Sequence, residues 1–206
     1  MSVSTPQGRP RDPEVDERIT RAAAEVFGAQ GWAGFSVDAV ARRAGVGKAS
    51  IYLRWPNKEA LLVAALASRL SGVKDIDTGS VRDDLVALAR QVLSAFLGED
   101  GGAVLRLTIE AASVPAGQEH LDRFLQSQAT AARAIVRRGI DRGQLGPGTS
   151  VTLLLDTISG GALNHALVAP ARLRDQVAAG ADEYAEELVD FVLRSVTPTD
   201  ERPGSR

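Results

Sequence analysis

Cysteine is absent from all 206 residues, which excludes disulfides, thiolate zinc sites and cysteine nucleophiles and leaves the redox compartment open. Histidine occurs only at positions 120 and 165; neither has a partner at metal-ligand spacing, and no Gly-rich phosphate loop is present. Aromatic residues are only 4% of the chain and β-branched runs are scarce, whereas Ala, Leu, Arg and Glu are plentiful. That mixture favours helices, and with neither an alternating strand pattern nor a repeat, an all-α fold is expected. The most apolar stretch, Val151 to Ala169, is interrupted by Asp156, Asn164 and His165, so it reads as a buried helix rather than a membrane span. The opening MSVSTPQGRPRDPE lacks the apolar core of a signal peptide, and a cytoplasmic protein is the expectation.

The net charge of −2 conceals an uneven distribution. Residues 1–70 hold ten Lys and Arg against seven Asp and Glu, an excess of +3, and the remainder carries −5. An excess of +3 is modest, so any case for a polyanionic partner rests on where the cations sit.

Helix punctuation is dense. Asp12-Pro13-Glu14 supplies a capping oxygen, a proline suited to the first helical position and an acid at the positive dipole end. Ile19, Ala22, Ala23, Val26 and Phe27 follow at helical spacing up to Gly31. Ser36 caps a short helix carrying Val37, Val40, Ala41 and Ala44, which Gly45 ends. A third short helix runs through Lys48, Ser50, Ile51 and Tyr52 until Trp55-Pro56, and Asn57 caps a fourth from Lys58 to about Leu70. After a polar link at Asp75 to Ser80, Ser80 caps a helix with Leu85, Leu88, Val92, Leu93 and Phe96 on one face. Further helices are expected around Leu105 to Ala112, from Gln118 to Arg142, from Ser150 to Val168 and from Ala181 to Val196.

Two short helices on a tight glycine turn bury little alone, so they pack on a neighbour or serve as a probe. Val40, Ala44, Val46 and Ile51 supply a small interior, while Lys48, Ala49, Ser50, Tyr52 and Arg54 leave a slim face of hydroxyls and cations that fits a major groove about 12 Å wide. Arg42, Arg43, Lys48, Arg54 and Lys58 all fall where phosphates would lie.

At GFSVDAVARRAGVGKASIYLRWPNKEALL the chain resembles the TetR family of one-component repressors. The resemblance is carried at fixed spacing by Ser36, Ala41, Ala44, Gly45, Val46, Tyr52, Trp55, Lys58, Glu59 and Leu61. Three departures stand out: Gly47 where Ser or Thr is usual, Ala49 for a frequent Gly, and Trp55 for the usual Phe. The first leaves any cap or phosphate contact at that position to backbone N–H groups, and the second adds a methyl group that can meet a thymine methyl.

The resemblance implies a DNA-reading domain over residues 12–57 and a helical effector-binding and dimerisation domain over 58–196. A flexible basic arm (1–11) and a disordered tail (197–206) flank them. It places Ser36, Tyr52 and Lys58 on phosphates, with Arg42 or Arg43 adding another contact, and Lys48, Ala49 and Ser50 near base edges. Gly47 and Arg54 complete the expected DNA face. Gly8-Arg9-Pro10-Arg11 resembles arms that enter narrow minor grooves, a secondary reading beside that of a mobile tail with stray charges.

The resemblance also implies a homodimer built on the last two long helices, a double-stranded operator that is nearly palindromic, and a small-molecule effector of unknown identity. Leu154, Leu155, Ile158, Ala162 and His165, with Leu188 and Val192, are the expected interface, and Ser159-Gly160-Gly161-Ala162 would admit a close helix. Arg106, Glu110, His120, Phe124, Gln128, Thr157 and Asn164 are candidates for the effector pocket. For Arg106 and Glu110 the alternative is a simple pair four residues apart. No cofactor, metal or membrane is called for.

Two other classes fit the residues less well. For an enzyme, the acidic cluster Glu183, Glu186, Glu187 and Asp190 is the available feature, and a solvated helix face explains it. For a helical scaffold without DNA readout, the segment from Lys48 to Lys58 would be ordinary surface.

Overall fold

The computed structural model describes residues 12–69, 76–98, 101–110, 114 and 117–196. Among the described residues there are no strands, and ten α-helices follow one another: α1 Pro13–Gly34, α2 Val37–Ala44, α3 Lys48–Tyr52, α4 Lys58–Arg69, α5 Val81–Leu97, α6 Gly101–Glu110, α7 Gly117–Asp141, α8 Val151–Val168, α9 Arg174–Ala179 and α10 Ala181–Val196. The arm 1–11 and the tail 197–206 lie outside the described residues.

Most of these helices begin where the punctuation puts them. Asp12, Ser36, Ser80 and Ser150 each accept a backbone N–H of the first turn, and Asn57 Oδ1 accepts from Ala60 N–H at 2.8 Å. Each bond satisfies a donor that the helix start would otherwise leave unpaired. Gly45 closes α2 in the left-handed region at φ 65°, ψ 37°, and Val46 N–H donates back to the Ala41 carbonyl at 3.0 Å. Gly31 does not end α1 as its sequence position suggested. It breaks the helix at φ 66°, ψ −175°, after which one more turn runs to Gly34. The short α9 and a 3-10 turn at Ala171–Leu173 were not anticipated, because six residues are too few to show a period.

Two apolar cores result. The first joins Ile19, Ala23 and Phe27 of α1 with Phe35, Val40 and Ala44, Ile51 of α3, and Leu61, Leu62, Ala65 and Leu66 of α4, and it takes in Ala103 of α6 and Val114. Phe27 and Phe35 meet edge to face at 6.3 Å. The second joins Leu85, Leu88 and Leu93 of α5, Ile135 and Val136 of α7, Leu154, Ile158 and Ala162 of α8, and Ala185, Val189 and Val192 of α10. A small helical head is thereby seated on a larger helical body, with α6 touching the head's core.

Candidate nucleic-acid interface

In α3 only Ile51 is buried, and it fastens the helix to the first core. The other side chains fall into strips fixed by helical spacing. Lys48 and Tyr52 lie four apart, as do Ala49 and Leu53. Lys48, Ala49, Tyr52 and Leu53 are all exposed, Tyr52 at 53% and Leu53 at 77%. Gly47 begins the helix without a side-chain cap, so its first N–H groups are left for solvent or a phosphate.

The cations divide into those that face outward and those already committed. Arg42 and Arg43 are exposed at the end of α2, and Arg43 pairs with Glu25 of α1. Lys48 Nζ lies 2.7 Å from Asp38 Oδ1. That hydrogen bond, and then the Asp38 charge, raise the Lys48 pKa above its ordinary value of 10.5, so the lysine stays charged throughout the neutral range. Ser36 spends its Oγ on the cap of α2 and is half-buried. Lys58 is half-buried too, with Nζ 3.8 Å from the centre of the Trp32 ring and 3.4 Å from the Phe35 carbonyl.

Arg54 departs from expectation. Its side chain is only 14% exposed, paired with Asp16 of α1, and its Nη1 donates to the Ser50 carbonyl at 3.0 Å and to Ser50 Oγ at 3.2 Å. Being so little exposed, it ties the end of α3 to α1 instead of reaching outward. Ser50 is half-buried and occupied by the same contact. Sequence reasoning missed Leu53 and Asp38. The spacing of Leu53 from Ala49 was the available signal for the first, and Asp38 carried none.

The effector candidates whose side chains are described are spread over α6, α7 and α8. Arg106 Nη1 donates to Glu110 Oε1 at 2.8 Å and Arg106 Nε to the Gly28 carbonyl at 3.3 Å, while Trp32 N–H donates to Glu110 Oε2 at 2.7 Å. The pair therefore caps the break at Gly31 and joins α6 to α1. Thr157 is exposed and returns its hydroxyl to the Leu153 carbonyl at 2.6 Å. Asn164 is exposed on the same outward face of α8, and Gln128 is half-buried on α7. The side chains of His120 and Phe124 lie outside the described residues. A cleft of about 310 Å³ is found elsewhere, between the end of α5 and the start of α10, lined by Arg90, Ser94, Leu97, Ala181 and Asp182 among others.

The expected dimer residues also need correction. Leu154 (2%), Ile158 (0%), Ala162 (0%) and Val192 (3%) are buried in the protomer's own core and have no surface to offer a second copy. Leu155 and Leu188 are half-buried and pack on that core. His165 stacks on Tyr184 at 3.6 Å within the α8 and α10 seam. The uncovered stripe runs one step around α8, through Leu153, Thr157, Gly160, Asn164, Leu167 and Val168, and Phe191 is uncovered on α10; Leu153, Val168 and Phe191 are each 65–68% exposed. Gly160 points into open space, whereas a Cβ on Gly161 would lie 3.0 Å from Leu188.

Comparison with known proteins matches both halves. Residues 19–65 match the family described as bacterial regulatory proteins, tetR family, and residues 75–192 match the tetracyclin repressor-like C-terminal domain. The chain is similar to the uncharacterised HTH-type transcriptional regulator YdeS of Bacillus subtilis, 28% identical over 200 residues that cover 96% of this chain and 97% of that one. Its fold is similar to that of the TetR family regulator PfmR from Thermus thermophilus (TM-score 0.70, 21% identity, 88% of this chain and 97% of that one). It is also similar to FadR from Bacillus subtilis (TM-score 0.62, 21% identity, 84% and 96%). With a glycine-turned helix pair whose second helix presents a bare face, and with family matches over head and body alike, the chain belongs to the TetR family and is a helix-turn-helix transcriptional regulator.

Proposed function

We propose that the protein is a homodimeric cytoplasmic repressor that holds a near-palindromic double-stranded operator with two copies of α3 and is released by a small molecule bound in its body. The observation that carries this reading is the outward strip Lys48, Ala49 and Tyr52 on a helix anchored from behind by Ile51 and Arg54. A rigid helix of small cross-section, flanked by Arg42 and Arg43, suits the major groove, with the cations on phosphates. Lys58 reaches a phosphate only by leaving the Trp32 ring, and Ser36 contributes through the backbone it caps.

Dimerisation is supported by α8, whose outward side leaves Leu153, Leu167 and Val168 exposed although its inner face is covered by its own chain. Its 18 residues are long and apolar enough to cross a membrane. Asp156, Asn164 and His165 along it and Arg82, Asp190 and Glu186 on the neighbouring helices argue for a second protein surface over lipid. The functional boundary falls between residues 57 and 58, although the buried side of α4 shares the head's core, so displacing α4 moves the head with it. For a small-molecule effector, support comes from the fold neighbour FadR, whose structure holds stearoyl-CoA. Nothing in this reading calls for catalysis.

The test is a pair of substitutions. Lys48→Ala with Tyr52→Ala is expected to abolish retention of a duplex enriched from a random library by the unaltered protein, while the variant remains a folded dimer. A helical scaffold would enrich no duplex and show nothing to lose.

A further inference from the structure

Beyond the Tyr52 hydroxyl, hydrogen bonding explains little of the α3 surface. Ser50 is taken by Arg54, Gly47 and Ala49 carry no polar side-chain atom, and Lys48 is held 2.7 Å from Asp38. What stands furthest into solvent is apolar: Leu53 is 77% exposed, more than any other large hydrophobic side chain among the described residues.

Leu53 is placed, not loose. Although it follows the last residue of α3, its backbone keeps the helical conformation at φ −63°, ψ −19°, and its N–H donates to the Ala49 carbonyl at 3.0 Å. The helical path therefore carries its side chain onto the same strip as the Ala49 methyl, beside Lys48 and Tyr52. An isobutyl group held in water at the tip of a probe gains nothing in the free protein. In a major groove, the apolar feature that meets it is the C5-methyl group of thymine.

Resting on the DNA-reading function proposed above, we infer that Leu53 is a specificity-determining residue that reads thymine by its methyl group, with Ala49 extending the same apolar strip. Arg42, Arg43 and Lys48 supply attraction to the backbone and hold the register, and the apolar strip supplies sequence preference. Arg54, which follows α3, is held by Asp16 and Ser50 instead of extending as a guanine-reading fork, so thymine methyls carry much of the half-site's definition.

Replacing thymine by uracil removes that methyl and leaves every base-pairing group in place. The duplex enriched from a random library by the unaltered protein is remade with uracil at each thymine of one half-site in turn, and binding is measured by fluorescence anisotropy for the unaltered protein, Leu53→Ala and Lys48→Ala. The unaltered protein should lose about fourfold in affinity at one or more positions, which is what burying one methyl group is worth. Leu53→Ala should become indifferent at one or more of those positions. Lys48→Ala should bind more weakly overall but keep the uracil penalty. Because Leu53 touches solvent on most of its surface, its truncation leaves the fold intact, which circular dichroism verifies. Indifference of the unaltered protein to every uracil, or an unchanged penalty in Leu53→Ala, overturns the methyl readout while leaving DNA binding standing. Failure to enrich any duplex overturns the DNA-reading function and the inference with it.

Discussion

Two side chains two residues apart, Tyr52 and Arg54, look alike in sequence as DNA contacts and separate in the structure. Tyr52 is half in solvent, and Arg54 is turned inward onto Asp16. Arg54→Ala should therefore act on the fold, costing about 0.5–1.5 kcal/mol through the lost hydrogen bonds to Asp16 and Ser50, as measured by thermal or denaturant unfolding. Tyr52→Phe should change stability by less than about 0.5 kcal/mol and weaken duplex binding. Gly31 is a second residue whose role is local geometry. At φ 66°, ψ −175° it occupies a region open essentially to glycine, and a Cβ there would lie 2.6 Å from Glu110 Oε1. Gly31→Ala should destabilise the head by about 1–3 kcal/mol from backbone strain, and denaturant unfolding checks it.

At the level of elements, the sequence was most legible where chemistry is local. Capping oxygens at Asp12, Ser36, Asn57, Ser80 and Ser150 and the turn at Gly45 mark helix starts and one helix end through contacts within a few residues. The faces of long helices were less legible. Because α8 is apolar nearly all round, its period does not say which stripe its own chain covers, and Leu154, Ile158 and Ala162 turned inward where an outward seam was expected. Gly160 tests the corrected face. A Cβ added there would meet nothing within 4 Å, so Gly160→Leu should leave the protomer folded while displacing a second copy, converting dimer to monomer in sedimentation. A dimer unchanged by this substitution would place the interface elsewhere. The joint between α1 and α6 was equally hidden, since Glu110 meets Trp32 across 78 residues and only its neighbour Arg106 is readable as an i,i+4 pair. The Trp32 N–H, and then Arg106, hold the Glu110 pKa below its ordinary 4.5. A carboxyl with a lowered folded pKa contributes stability above the unfolded value and loses it as pH falls through the folded one. On acidification below about pH 5, the unaltered protein should thus lose more stability than Glu110→Gln, whose neutral side chain has no such proton to take up. Parallel acid unfolding curves for the two would remove the carboxylate from the joint.

For the whole molecule, one short helix on one half-site binds weakly, whereas two presented about 34–36 Å apart read successive turns of the duplex. Head and body are joined through α4 and α6, both of which reach the head's core, so a change in the body is mechanically able to alter that spacing. Contacts between the dimer and roughly 6–10 phosphates would also make affinity fall steeply with salt. The most direct measurement is native mass spectrometry of the protein on its library-enriched duplex, with the enriched sequence read alongside. The account predicts an inverted repeat with half-site centres one helical turn or a multiple apart, occupied by an even number of protomers. A single asymmetric motif held by one protomer would contradict it.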